Sequence, residues 1–379
     1  MKKTMPRLLL LSLSSLLLCF GPAEAQKIKT VDGVTVVSNG KKPTPPKGQP
    51  ATLNLREEVT FGLGDNPDEA FSEVSASVVD DAGTVYALDV KDRKIKVFDK
   101  TGKFLRLIGK PGQGPGELGM PAAIQLTGDN NLVISDATNQ KLSFFKLSGE
   151  HIKDVSTAGR LGFVSLSIDA QGNFLGQELA IAPGNAKMFY EIKKFAPDLK
   201  PLFTLDKIEF AIPLPGSGKK LNALEMISVY QFDPAGNIYY GRSAAYEIKL
   251  YSPEGKHLRT IEKEYIPEKV TQEDIDEMLE RIASVQTGTN LKDLLSFPEK
   301  FPPFQSIFLD DQERLYVRTF TKGKAKDEWE VDVFDAEGKF IAQLVTKSDL
   351  RLIKGGKAYG IEETEDGFRV IKRYSLSAE

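Results

Sequence analysis

Short alternations of apolar and polar residues, separated by turns rich in Asp and Gly, run along most of the chain and fall into a repeat. In the stretch Val74 to Leu118 an inner strand, Val74 to Val79, meets the turn Asp80-Asp81-Ala82-Gly83. A second strand, Val85-Tyr86-Ala87-Leu88, runs into Asp89, and a third, Ile95-Lys96-Val97-Phe98, turns at Thr101-Gly102 into a fourth, Phe104 to Ile108. One four-stranded sheet cannot bury both of its faces, so such a unit has to stack on copies of itself. The third strand counts the copies, because an aliphatic residue stands three places before an aromatic one: Ile95/Phe98, Leu142/Phe145, Ile192/Phe195, Ile248/Tyr251, Val331/Phe334 and Ile371/Tyr374. Six copies predict an all-β, six-bladed β-propeller with four-stranded antiparallel blades. The aromatics are 47, 50, 56, 83 and 40 residues apart, so the longer intervals contain insertions.

The two ends of the repeat fit together. Phe61-Gly62 followed by Phe71 mirrors Ile108-Gly109 followed by Leu118, again 47 residues on, so Leu53 to Phe61 reads as an outer strand without a blade of its own. The sixth copy, Ala358 to Tyr374, stops just after its third strand. The N-terminal strand is expected to supply the missing fourth and close the ring without free edges.

Ahead of it, Met1 to Ala25 has a basic front (Lys2, Lys3, Arg7), an apolar run from Leu8 to Phe20, and Ala23-Glu24-Ala25. This reads as a secretory signal cleaved before Gln26, with no transmembrane segment left in the mature chain, and places the protein in the periplasm or outside the cell. Lipidation at Cys19 would need a small residue where Leu18 stands. Cys19 is the one cysteine in the chain, so the mature protein has no disulfide and no thiolate ligand. Residues 1–25 hold three basic and one acidic residue of the 50 and 53 present, so their removal leaves a net charge of −5, which does not attract nucleic acid. Residues 26–52, with Pro43, Pro45, Pro46 and Pro50 among lysines, read as an extended surface linker. Residues 53–379 are then the propeller, expected to be a monomer.

Within the blades, the positions matching Val79 are Leu126, Ile168, Phe232 and Leu309, all apolar core. Those matching Ala76 are Ala123, Ser165, Val229 and Ser306, mostly small where strands crowd the axis. Tyr86, Tyr239, Tyr316 and Tyr359 share one second-strand position, filled by Val133 and Leu175 in the other two blades. That register points to packing between blades rather than to a carbohydrate platform.

The run Gly109-Lys110-Pro111-Gly112-Gln113-Gly114-Pro115-Gly116-Glu117-Leu118, then Pro121 and a strand ending at Asp136, resembles the signature of NHL-type six-bladed propellers. Over residues 30–376 the chain is similar to an exported bacterial family of six-bladed β-propeller proteins whose function is not established. The resemblance implies the fold, and it brings in lyases, RNA-binding domains and kinase sensor domains without choosing among them. The glycine run fits neither a dinucleotide fingerprint nor a Walker loop, and Pro111 and Pro115 lack the N–H donors that a phosphate needs.

Few groups remain for chemistry. His151 and His257 each follow a hairpin glycine by two residues, where other blades have Phe104 and Phe340, so both belong on outer strands. A histidine-held metal near the axis and a Ser-His-Asp triad are therefore not expected. The residues matching Asp89 at the second-strand ends are Asp136, Glu178, Arg242, Thr319 and Glu362. Aspartate at a strand end caps its own turn, although a rim of acids also suits Ca²⁺, as in propellers resembling gluconolactonases. Arg242 breaks the acidic ring and either balances charge or seats an anion.

The long connections, Leu205 to Leu224 and Ile261 to Pro303, and the expanded loops Glu178 to Met188 and Thr319 to Asp327 all fall at one end of the cylinder, where binding usually resides. The insertion at about 263–300 contains a helix, Thr271 to Gln286, capped by Thr271 with Asp274. Its apolar stripe, Ile275, Met278, Leu279 and Ile282, is expected to lie over the channel mouth. The reading is an exported propeller without a catalytic constellation or cofactor that binds a protein, peptide or glycan on this face. Arg242, Glu178, Asp89, Asp136 and the channel-mouth residues Tyr230 and Gln231 are its candidate ligand contacts. The alternative is a Ca²⁺-assisted lyase or lactonase using the rim carboxylates and Arg242.

Overall fold

The structure, a computed structural model, describes residues 26–64, 66–160, 166–181, 188–210, 220–224, 227–242, 244–283, 294–325 and 327–378. The expected signal segment, Ser165 and the end of the helix at Gln286 lie outside them.

Six sheets, each built on four antiparallel strands, stand in a ring. Numbered along the chain, blade 1 is Val74–Val79, Val85–Asp89, Lys94–Phe98 and Phe104–Ile108, and blade 2 is Pro121–Leu126, Asn131–Asp136, Lys141–Lys146 and His151–Ser156. Blade 3 is Ser167–Ile168, Phe174–Ile181, Met188–Phe195 and Pro201–Phe210; blade 4 is Ser228–Phe232, Ile238–Arg242, Glu247–Tyr251 and His257–Lys263. Blade 5 is Phe304–Leu309, Leu315–Lys322, Trp329–Phe334 and Phe340–Thr346. Blade 6 takes Asp349–Lys354, Lys357–Glu363 and Arg369–Ala378 from the C-terminus and Leu53–Phe61 from the N-terminus. The closing strand runs antiparallel to the last one, with Leu55 opposite Leu376 and Phe61 opposite Ile371.

The aliphatic and aromatic markers of the third strand are an odd number of residues apart, so they point to opposite faces of the sheet. Ile95 accordingly enters the core shared with blade 2, and Phe98 the core shared with blade 6. The same division holds for Leu142/Phe145, Ile192/Phe195, Ile248/Tyr251, Val331/Phe334 and Ile371/Tyr374, so every seam of the ring has its own hydrophobic cluster. The second-strand tyrosines do the same: Tyr86, Tyr239, Tyr316 and Tyr359 are buried, each against the blade that follows.

In blades 1, 3, 4 and 5 the turn from inner to second strand is organised by an aspartate, Asp80, Asp169, Asp233 or Asp310. Asp80 accepts the N–H groups of Ala82 and Thr84, and Asp310 those of Gln312 and Arg314. The residue three places after each aspartate is left-handed: Gly83 has φ 84°, whereas blade 5 places Glu313 there at φ 58°. A non-glycine residue in this conformation is strained.

Residues 26–52 are more than a linker. Lys27–Val31 and Val34–Asn39 form a hairpin, and the second strand runs parallel to His257–Lys263, so that blade 4 has six strands. The proline pattern concealed this, because the partner strand lies far away in sequence and leaves no local signal. Buried Asn39 fixes the exit: its amide donates to the carbonyls of Glu262 and Gly338, and its Oδ1 accepts the N–H of Phe340. The chain then crosses blade 5, where Thr44 donates to Phe340 O and Ala51 O accepts from Gln343. The strap covers the outer edge of blade 5 before it becomes the closing strand of blade 6.

Deleting residues 26–62 is expected to expose the edges of blades 4, 5 and 6, giving aggregation by size-exclusion chromatography or a large fall in melting temperature. A truncated protein as soluble and as stable as the parent contradicts this closure. At the strained turn, Glu313→Gly is expected to stabilise by about 0.5–1 kcal/mol in urea unfolding.

Candidate functional site

The rim acids hold the scaffold together. Asp89 is fully buried and accepts the N–H groups of Ser72, Glu73 and Asp92, with the Lys96 ammonium 3.4 Å away. Asp136 repeats the arrangement with the N–H groups of Gly119, Met120 and Asn139 and the Asn139 amide. Each clamps the link that enters its own blade. Glu362 takes the Tyr374 hydroxyl and pairs with Lys372 at 3.3 Å. Glu178 is not at a strand end: its strand runs on to Ile181, Glu178 stands opposite Glu191, and it pairs with Arg160 and Lys193. Among the described residues no three His, Cys, Asp or Glu side chains gather as a metal-ligand set.

Arg242 differs. Its side chain is 43% exposed, and its nearest acid, Asp206, lies 3.7 Å away and also accepts the Tyr240 hydroxyl. Burial, and then this carboxylate, pushes the Tyr240 hydroxyl far above its ordinary pKa. Across the ladder from Arg242 stands Ser228. Tyr230 and Gln231 are deeper in the same strand, opposite Tyr240 and Tyr239, and Tyr230 packs into the seam with blade 3. The strand end at the channel mouth is therefore Ser228, because Tyr230 sits in the middle of the ladder and Gln231 next to its far end.

A second cation was hidden in the sequence. Arg351 occupies a bulge in the innermost strand of blade 6, between Leu350 and Leu352, and its side chain is 59% exposed. Inner strands surround the axis, so the water that it meets is that of the channel. Arg351 and Arg318, from blade 5, both bond Asp349. Burial opposes ionisation of Asp349, but the two guanidiniums outweigh it, Arg351 first, and hold the carboxyl below its ordinary range. An arginine inside an apolar strand, Leu350-Arg351-Leu352-Ile353, was the available signal.

The seam of blades 4 and 5 carries a further polar group under the long insertion. Asp332 is fully buried, accepts the Tyr246 hydroxyl and pairs with Lys263 at 2.8 Å, while Gln343 donates to both Asp332 and Glu330. Burial, reinforced by Asp332, raises the pKa of Glu330. Beside it Phe301 stacks on Phe320, which meets the edge of Trp329, the one tryptophan in the chain.

The insertion helix, Gln272–Ala283, starts with reciprocal bonds between Thr271 and Asp274. Its described tie is to blade 5, where Asp274 pairs with Lys322 at 2.7 Å. The two long connections flanking blade 4 also pair in parallel, Leu221 with Leu295 and Asn222 with Ser296. The helix and both connections thus share one end of the ring.

Both histidines lie on fourth strands, that of blade 4 being covered in turn by the N-terminal hairpin. His151 bonds Asp154 at 2.9 Å and packs on Phe145, and His257 stacks on Tyr251. Asp154 also takes the Lys141 ammonium and the N–H of Gly116, so this side of His151 anchors the glycine-rich link. That link wraps the Glu117 carboxylate, which accepts the Gly114 N–H, and a Cβ on Gly112 would lie 2.0 Å from Glu117 Oε2.

Two cavities lie at the opposite, tight-turn end. One of about 880 Å³ sits at the seam of blades 6 and 1, against the turns at Asp80–Gly83 and Lys354-Gly355. One of about 430 Å³ lies between blades 2 and 3, lined by Phe144, Ile152, Phe174 and Pro197.

This architecture defines a six-bladed β-propeller closed by its own N-terminal strand. Residues 69–160 match the family described as "6-bladed beta-propeller". The fold is shared with a protein from Bacteroides fragilis NCTC 9343 named as an exported one, at TM-score 0.56 and 12% identity, over 91% of this chain and 99% of that one. It is shared also with a member of the DUF4221 family from Bacteroides vulgatus, at TM-score 0.53 and 11% identity, over 87% of this chain and 100% of that one. No curated protein matches the sequence. Among the described residues no helix is long and apolar enough to cross a membrane.

The two perturbed carboxyls predict opposite pH effects. The folded pKa of Asp349 is lowered, so its stabilisation is present above its unfolded value and lost as pH falls through the folded one. Asp349→Asn is expected to cost about 2 kcal/mol at pH 7, with the deficit shrinking below about pH 4. The folded pKa of Glu330 is raised, so its contribution is present at low pH and lost on the way to neutrality. Glu330→Gln is expected to raise the melting temperature at pH 7 and leave it unchanged at pH 4. Thermal melts across that range check both signs.

Proposed function

We propose that the protein is an exported binding propeller, acting in the periplasm or outside the cell, that seats an acidic group of a protein, peptide or glycan ligand at the long-connection end of its channel. One observation carries the reading. At this end the acids are engaged by N–H donors and cations, and Arg242 and Arg351, although paired with Asp206 and Asp349, keep side chains 43% and 59% exposed, one on the rim and one in the channel. The name of the Bacteroides fragilis neighbour supports export, as does the basic and apolar start of the chain. The insertion helix, tied to blade 5 by one ion pair among the described residues, is placed to shift when a ligand arrives. Calcium-assisted chemistry has less support, because the oxygens of Asp89 and Asp136 already accept several N–H groups each.

Hydrogen exchange with and without a library of acidic peptides and glycans tests the reading. Protection is expected at Arg242, at Asp349 to Arg351 and along the helix. Replacing both arginines by alanine should weaken binding by about 2 kcal/mol or more, roughly 30-fold. Protection confined to the hairpins at Gly149, Gly255 and Gly338 overturns it.

A further inference from the structure

The cavity of about 880 Å³ at the tight-turn end is formed where the ring closes. The closing strand contributes Arg56, Glu57 and Glu58, and the last strand Arg373. Blade 1 adds Asp80 to Gly83 and Lys100, blade 5 adds Asp311, and blade 6 adds Lys354, Gly355, Lys357 and Tyr359. Its volume falls in the range of small-molecule sites, roughly 300–1,000 Å³.

Five acids and five cations line it, but they are not equally engaged. Glu57 takes the Lys372 ammonium and the Thr60 hydroxyl, each at 2.8 Å. Glu58 pairs with Lys357 at 2.6 Å and Arg373 at 3.1 Å. Asp80 is filled by its own turn and by the Tyr86 hydroxyl, Asp81 pairs with Lys354 at 2.6 Å, and Asp311 accepts the Gly355 N–H at 2.9 Å. Lys354, Lys357 and Arg373 are therefore all partnered, and Arg373 also donates to the Lys100 carbonyl. Among the described residues, the Arg56 and Lys100 side chains have neither an ion pair nor a hydrogen bond, and both are exposed into the cavity.

A polar cavity whose acids all have hydrogen-bond or ion-pair partners, and whose two open donors are cations, favours a negative ligand. We propose that this cavity is a second binding site, separate from the channel, for a sugar-sized organic oxyanion, a phosphate or a carboxylate held between Arg56 and Lys100. Arg56 belongs to the strand from the start of the chain and Lys100 to the hairpin of blade 1, so the ligand bridges the seam between the last blade and the first. Binding therefore stabilises the closed ring.

Titration calorimetry and thermal melts of the mature protein with glucose 6-phosphate and with glucuronate, at physiological ionic strength, test the proposal. Saturable binding of at least one of them with a rise in melting temperature is expected. The R56A/K100A double variant should fold normally, because both side chains are exposed and unpaired, and should lose affinity at least tenfold. A variant lacking Arg242 and Arg351 should bind these probes unchanged, which separates this site from the channel reading. No saturable binding of either probe, or equal binding by R56A/K100A, overturns it.

Discussion

Every blade of this protein has two apolar faces and no means of covering either alone, and that constraint organises the rest. A strand with one large residue on each side, such as Ile95 facing blade 2 and Phe98 facing blade 6, is stable only between two neighbours. Repeating this around an axis leaves two exposed faces unless the last blade meets the first. The two ends of the chain share one blade for this reason, and the seam holding Phe61, Phe98, Tyr359 and Ile371 is packed as fully as any other.

Toward the long-connection end the seams change character. The residue after the third-strand aliphatic marker is charged in five blades, and each of the five has an opposite partner: Lys96 with Asp92, Lys193 with Glu178, Lys249 with Glu247, Asp332 with Lys263 and Lys372 with Glu57. Several of these charges are buried. Removing one partner of such a pair leaves an uncompensated charge, which costs more than the pair contributes. The polar ends of these seams are thus fixed in place, and Arg242 and Arg351 stand out against them by their exposure.

The sequence made the blade count legible because a spacing of three in a strand encodes opposite faces, and the matching 47-residue interval made the closing strand legible. The site was harder to see, since equivalent positions in a repeat are not equivalent environments. Asp89 and Asp136 look like a rim of available acids until the backbone N–H groups around them are seen. Glu178 looks like a strand end because the extension of its strand to Ile181 carries no breaker. Arg351 looks like an ordinary exposed strand residue unless the bulge that turns it out of register is known. The hairpin at Lys27–Asn39 pairs with residues more than 200 positions away, beyond any local pattern.

The closing strand also sets an order of events. A chain made from its N-terminus delivers Leu53–Phe61 early, yet the partner strand Arg369–Ala378 emerges only after the other five blades. Until then the early strand waits without its ladder partner, the situation in which strands join the wrong chain. Its centre, Arg56-Glu57-Glu58, is charged and exposed, a composition that discourages such pairing while the wait lasts. The residues that hold the finished ring shut are thus also suited to keeping the unfinished one apart from its neighbours.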